Sequence, residues 1–340
     1  MNYMKVNCLL KDAAGKINGV HAVDTLDGKE YQIKSKVVVN ATGVFVDDVM
    51  KMDECDTRRK VRPSQGVHLV VDSKFLGGRS ALMIPKTKDG RVLFGVPWHG
   101  KVVLGTTDTP LNEASLEPRA LEEEVDFILD QAGQYLDRKP TRADVLSIFA
   151  GLRPLAAPTH ADSKKTKEIS RNHKIYRSKS GLLTITGGKW TTYRAMAEDV
   201  INQAIVIGGL SPAECVTKNL RVHGYTKEQF DENDWNYVYG SDASKIQKMI
   251  EKEPSFAEKL YEGYTFTAAH VVWAAREEFA QNIEDVLARR VRMLFLDARA
   301  ALKIAPKVAS VLAAELGKDK TWEQAQIADF NRLARGYILN

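Results

Sequence analysis

Cysteine is scarce: three residues in 340, at positions 8, 55 and 215, far apart in the chain and without metal-ligand spacing. An odd and sparse count excludes a disulfide framework, fits a reducing compartment and gives no reason to expect a metal. Nowhere does the chain reach the roughly 18 consecutive apolar residues that a membrane helix needs. The opening "MNYMKVNCLLKD" lacks the charged-then-apolar order of a signal peptide. Cytosolic residence is therefore expected, with peripheral membrane contact left open. Charge of one sign is not concentrated either. The net +5 is spread along the chain, and "SKKTK" at 163–167 reads as a solvated loop. Without basic residues interleaved with aromatics, nucleic acid is not an expected partner. No Gly-x-Gly triplet occurs, so the dinucleotide fingerprint is absent.

What is present is ordinary globular material, 44% hydrophobic and 27% charged, long enough for two domains. The first 110 residues read as β-rich. "YMKVNCLL" and "INGVHAV" flank a turn and predict a hairpin. "SKVVVNATG" predicts a strand buried on both faces. "VHLVVD", "ALMIP", "RVLFGVPW" and "KVVLGTTD" predict an antiparallel meander, with "KDGR" and "WHGK" as turns. Residues 118–136 predict a helix lying on that sheet. "DVLSIFAGLRPLAAP" predicts a strand, "RNHKIYRSKSGLLTITGGK" a hairpin and "WTTYRAMAEDVINQAIVIGG" a helix. Beyond about residue 211 the periodicity is helical, near 226–238, 243–252, 266–280, 283–303, 305–316 and 320–335. His270 falls on an apolar stripe there and reads as a packed or capping residue.

The junction "TITGGKWTTYR" at 184–194 places two glycines, a lysine and two threonines between a strand and a helix. A phosphate-cradling P-loop would need a glycine at 183 and a hydroxyl at 190, where the chain has Leu183 and Trp190. What remains is a helix start whose N–H groups and nearby cation favour a negatively polarised atom; a capped tight turn is the plain alternative. "NATG" at 40–43 ends a strand in small residues, as a turn or as room for a bulky group. Arg153, in "GLRPL", could fork two donors onto a carboxylate or phosphate. Taken alone it reads first as a structural salt bridge.

"VVNATG" followed by a helix, "SQGVHLVV", "IPKTKDGRVLFGVPW", "LGTTDTP", "AGLRPL", "SRNHKIY" and "GGKWTTYR" occur in this order ahead of a helical tail. This sequence of motifs resembles the FAD-dependent, quinone-linked glycerol-3-phosphate dehydrogenases across nearly the whole chain. The resemblance implies an α+β fold: an incomplete FAD-binding, D-amino-acid-oxidase-like domain, an antiparallel-sheet substrate domain and an all-α C-terminal domain. The implied boundaries are 1–58 (partial FAD-binding), 59–165 (substrate domain), 166–212 (return to the FAD-binding domain) and 213–340 (helical). Family members carry a Gly-x-Gly-x-x-Gly unit and more than a hundred further residues ahead of this point. The chain therefore reads as a C-terminal portion.

By the same resemblance the cofactor is FAD and the substrate sn-glycerol 3-phosphate, oxidised to dihydroxyacetone phosphate with electrons passed to a membrane quinone. Thr42, Gly43, Gly187, Gly188, Lys189, Thr191 and Thr192 correspond to positions at the flavin. Arg153 and Arg171 correspond to the phosphate end. His68 corresponds to the active-site histidine, although on its own residues it reads as a sheet position. His68, Lys189 and Arg153 are the implied catalytic set. The resemblance further implies peripheral attachment to the inner face of the cytoplasmic membrane and a homodimer for the full-length enzyme. The chain departs from the family at Val44 and Phe45, where a Pro-Trp pair is common. The rival expectations are an oxygen-reducing oxidase, a flavin amine oxidase, and a non-catalytic segment that does not hold FAD by itself.

Overall fold

The computed structural model describes residues 1–87, 90–157, 172–229, 231 and 234–339. The chain forms two compact units. One comprises Met1–Gly66, Asp108–Pro118 and Gly151–Leu220; the other comprises Val67–Thr107, Arg119–Ala150 and Arg221–Asn340.

In the first unit, β1 (Met4–Lys11), β2 (Ile17–Asp24) and β3 (Glu30–Lys34) form an antiparallel sheet in the order β1-β2-β3. The predicted hairpin turn is set by Asp12, whose carboxylate accepts the N–H groups of Ala14 and Lys16 at 2.9 and 2.8 Å. β4 (Val39–Asn40), β11 (Lys174–Arg177) and β12 (Leu183–Thr186) form a second sheet in the order β11-β12-β4. The hairpin β11–β12 is antiparallel, as predicted, and β12 pairs with β4 in parallel. The expectation of a strand at 35–43 buried on both faces does not hold. Only Val39–Asn40 is in strand conformation, Val37 to Val39 are half-buried, and β4 has a partner on one side only among the described residues. Helix α1 (Val46–Asp53) follows, with Met50 packed on Leu9, Ile17 and Leu182. Helix α3 (Tyr193–Ile207) lays Val200 and Ala204 on Leu183 and Ile185.

In the second unit, the later half of β5 (Val61–Asp72) lies antiparallel to β8 (Lys101–Gly105), which continues to β7 (Leu93–Trp98) and β6 (Leu82–Ile84). Strand alternation sends Val67, Leu69, Val71, Val102, Leu104, Leu93 and Ile84 to one face. There they meet Val125, Ile128, Leu129 and Ala132 of α2 (Glu122–Ala132), the predicted covering helix. The "WHGK" turn is confirmed, with His99 and Gly100 both left-handed (φ 46° and 67°).

The helical region is equally clear, with corrections. No α-helix forms among the described residues of 226–238. Trp235–Asp242 winds as 3₁₀ turns broken at Gly240 (φ 53°), where a Cβ would collide with the Gly224 carbonyl. The expected helix at 283–303 divides into α6 (Ile283–Leu287), α7 (Met293–Leu296) and the start of α8 (Ala298–Leu316). Left-handed Arg292 interrupts it, and Asp297 caps the new helix by accepting the Ala300 N–H at 2.9 Å. Helix α8 runs through Pro306, which sits on the exposed side, so the carbonyl it leaves unbonded can turn to water. The remaining helices, α4 (Ala243–Lys252), α5 (Ala268–Glu277) and α9 (Lys320–Arg335), fall where expected. His270 is the packed, capping residue foreseen. It is 1% exposed, takes the Thr267 N–H on Nδ1 at 2.9 Å and lies 2.6 Å from Asn236 Oδ1 through Nε2. Burial holds its pKa down to about 4.

Candidate functional site

The site grows from the end of β12. Its four residues are buried, so the strand delivers the next residues to a fixed place. Gly187 and Gly188 then turn the chain with φ of 79° and 76°. Close ligand approach is not the only demand on these glycines. A Cβ at 187 would lie 2.9 Å from the Asn172 carbonyl, and one at 188 would lie 2.3 Å from Met196 Sδ. The left-handed backbone calls for glycine at both, and at 187 the fixed Asn172 carbonyl does so as well, whereas the flexible Met196 side chain could yield at 188. Lys189 is exposed and extended, and Trp190–Thr192 form a 3₁₀ turn leading into α3. Thr192 Oγ1 accepts the Lys189 N–H at 3.2 Å and donates to the Lys189 carbonyl at 3.0 Å. The first N–H groups of the turn, at Trp190 and Thr191, have no intrahelical acceptor, and the positive end of the dipole lies with them.

Arg153, on β10 (Ser147–Ala156), lines the same cavity of about 510 Å³ as Gly187, Gly188, Lys189, Trp190 and Tyr193. Its Nη1 donates to the Gln65 carbonyl at 3.2 Å and lies 3.7 Å from Asp108 Oδ1. Asp108 also accepts the Ser64 hydroxyl. The plain reading of Arg153 as a salt-bridge partner is thus met, and the bridge fixes a cation on a cavity wall. Ser64, Gln65 and Asp108 are not among the sequence-derived candidates. Their signal was weak: an acidic residue in "LGTTDTP" asks for a cation, but only the pairing of Gln65 with Thr109 shows which one.

Thr42 and Gly43 sit just beyond β4, the parallel neighbour of β12. Asn40 ties this corner together, accepting the Thr42 hydroxyl at 2.7 Å and donating to the Val46 carbonyl at 2.9 Å. Gly43 is left-handed (φ 62°) and has open space where a side chain would be.

His68 belongs to the other unit. Its ring stacks on Phe149, with centroids 5.2 Å apart and planes 18° apart, and it stands opposite Gly105. A Cβ at 105 would come within 2.4 Å of the imidazole, so glycine there makes room for the ring. His68 is not among the residues lining the cavity at Arg153. Arg171 lies outside the described residues.

Residues 2–194 match the family model of FAD dependent oxidoreductases. The chain belongs to that family. Residues 183–324 match the C-terminal domain of alpha-glycerophosphate oxidase. The mitochondrial glycerol-3-phosphate dehydrogenase of Arabidopsis thaliana is 38% identical, over 96% of this chain and 56% of its own length. That of Bos taurus is 36% identical, over 96% of this chain and 48% of its own. The chain thus spans about half the length of the curated relatives it matches. Among solved structures, a glycerol-3-phosphate dehydrogenase of Bacillus halodurans complexed with FAD superposes with a TM-score of 0.84 at 28% identity. That match covers 99% of this chain and 69% of the other. The family's fold, an FAD-binding part with a helical C-terminal domain, is the one expected from the motifs.

The donor set at this cavity is of a kind that fits one end of the family's cofactor, FAD. Helix-start N–H groups, Lys189 and two glycines suit the polar edge of a flavin ring. The missing Gly-x-Gly means that these 340 residues do not supply the dinucleotide fingerprint for the ADP half. Among the described residues, no helix is long and apolar enough to cross a membrane.

Proposed function

We propose that this chain acts in the oxidation of sn-glycerol 3-phosphate to dihydroxyacetone phosphate, with the electrons passed to a membrane quinone. The observation that carries the proposal is the convergence of Arg153, Gly187, Gly188 and Lys189 on one cavity, in a chain whose relatives bear that enzyme's name. Bound FAD would supply the acceptor for the hydride that leaves C2.

The chain's own residues have separable tasks. Arg153 would fork its donors onto the substrate phosphate while Asp108 holds the guanidinium, and Arg171 would add a second cation. His68 would take the C2 hydroxyl proton on a ring nitrogen, a task suited to an imidazole. Lys189 and the N–H groups at the start of the 190–192 turn would hold negative charge at the pyrimidine edge of the flavin. Thr42, Gly43, Thr191 and Thr192 would complete the cofactor contacts. In this scheme 1–58 and 166–212 serve FAD, 59–165 serves the substrate, and 213–340 is a helical domain. Delivery to a quinone calls for peripheral contact with a membrane, assigned here to the inner face of the cytoplasmic membrane, and for a homodimer in the full-length enzyme.

The test is spectroscopic. The chain is incubated with FAD, desalted, and its visible spectrum is recorded before and after glycerol 3-phosphate. Retained flavin that bleaches is the expected result; a colourless protein would instead favour the non-catalytic reading. One observation favours an alternative acceptor, the match of 183–324 to an oxidase domain. Hydrogen peroxide formed in air on substrate addition would decide for oxygen over quinone.

A further inference from the structure

The second unit has a cavity of about 550 Å³, lined from separate segments: the β7–β8 turn, residues 223–224, residues 238–242, Phe266, the end of α5 and residues 289–292. We propose that this cavity is a binding site for a small phosphate-bearing molecule, held by Arg292, Tyr239 and His99. This inference does not depend on the activity proposed above, because every lining residue belongs to the unit that lacks Arg153 and Lys189.

The Tyr239 hydroxyl and His99 Nδ1 are buried and have no hydrogen-bond partner among the described residues. Tyr239 is only 8% exposed. Buried polar atoms are nearly always bonded, so these two orphan groups, on residues that line one cavity, indicate an absent acceptor; a third orphan there, the Glu278 Oε2 oxygen, has Arg290 Nε at 3.7 Å. The ionic groups point the same way. Arg289 pairs with Glu284 at 2.5 Å, and Arg290 pairs with Asp285 at 3.6 Å and Glu278 at 3.7 Å. Asp242 is taken by His223 at 2.5 Å and Lys245 at 2.8 Å. Each lining carboxylate thus already faces a cation. Arg292 has no ion-pair partner among the described residues, so its charge is left over at the cavity.

Three donor groups, a guanidinium, a phenol and an imidazole, come from three different segments. A phosphate presents three terminal oxygens, one for each, where a carboxylate presents two. Phe266, Val238 and Val291 supply apolar wall for the carbon part of an ester. The donors are also held in place. His99 is fixed by Trp235 and Tyr237, at ring centroid distances of 4.9 and 5.6 Å. His99 and Arg292 both occupy the left-handed region (φ 46° and 55°), where side chains other than glycine are uncommon and usually constrained by function or packing. Burial, with the Arg292 charge adding to it, lowers His99 to about 4, so its ring is neutral and free to donate or accept.

Inorganic phosphate is the probe. Thermal unfolding of the whole chain is followed against phosphate and against chloride at equal ionic strength, in an Arg153→Ala, Arg171→Ala background that removes both other proposed phosphate cations. A saturable rise in midpoint specific to phosphate is expected. Adding Arg292→Gln should weaken the apparent affinity about tenfold, the loss of one charge-assisted contact. Tyr239→Phe, which removes only an unbonded hydroxyl, should keep the fold and weaken phosphate about threefold or more. Arg289→Gln should change little. Absence of a saturable response in that double-variant background would overturn the site, as would a response indifferent to both Arg292→Gln and Tyr239→Phe. Failure of the glycerol 3-phosphate reading would leave these results untouched.

Discussion

The two compact units differ most in how much core each owns. In the unit that begins at Met1, the buried apolar side chains form two small clusters, Leu9 with Ile17, Met50 and Leu182, and Leu183 with Ile185, Val200 and Ala204. In the other, the described residues form clusters of thirty and sixteen. Yet the thinly cored unit carries Arg153, the glycine pair and Lys189. Side chains worth roughly 1.5–3 kcal/mol each on burial add up slowly in clusters of four. A bound ligand would then be a large part of what stabilises that unit, because anything that binds only the folded form shifts the equilibrium. The other unit, with its two larger clusters, has less need of one.

The largest expected effect would break the neat division of site from core. His68→Asn, in the well-packed unit, should lower turnover of the FAD-loaded enzyme about 10²–10⁴-fold while leaving the unfolding midpoint nearly unchanged. A nearly normal rate would remove His68 from the mechanism. Next come paired core truncations read by urea unfolding. Leu294→Ala should cost roughly 2–5 kcal/mol and move only the later of two transitions; Leu183→Ala should move only the earlier. If either variant moved both transitions together, the units would be one cooperative body and the comparison would fail.

A third test uses acid. His270 sits near 4 when folded and near 6.5 when unfolded, so the unfolded state binds the extra proton. Stability should be complete above about pH 6.5 and fall as pH drops toward 4, by roughly 3 kcal/mol in total. His99 acts in the same direction. The slope should belong to the transition of the unit that holds His270 and flatten in His270→Gln; an unchanged slope would assign the acid sensitivity elsewhere. The smallest effect is Arg153→Ala, which should weaken substrate binding by about 1.5–3 kcal/mol, read as a raised KM. An unchanged KM would leave Arg153 as a partner of Asp108 and nothing more.

Legibility followed the range of the interactions involved. The β1–β2 and β11–β12 hairpins, the β6–β7–β8 meander and α2 were readable because alternation, turn residues and helical spacing are local signals; that the strand before them, β5, pairs with β8 and not with β6 is a non-local choice the meander expectation missed. The "VVVN" run misled because its composition suits a two-sided strand while its observed pairing is one-sided. The 283–303 run misled because its apolar spacing continues through Arg292, whose left-handed turn and the Asp297 cap are invisible to periodicity. The site was partly legible. Arg153 and the glycine pair were visible as residue types in telling places, and they do share a cavity. Asp108, Ser64 and Gln65 were not, since only the folded strands bring residues 64 and 65, 108 and 153 together. At His68 the residues suggested only a sheet position, and the structure shows that position made roomy by Gly105.

Trp190 has a consequence of an optical kind. It is 87% exposed, stacks on Tyr193 at 5.7 Å and stands on the wall of the Arg153 cavity. Of the chain's other tryptophans, Trp235 and Trp273 are buried, and Trp98 and Trp322 are partly so. A solvated indole emits to the red of a buried one, and flavins absorb in the range where indole emits. The red component of the protein's fluorescence would therefore serve as a built-in gauge of this cavity, dimming if the proposed flavin bound there, with no label to attach and no residue to replace.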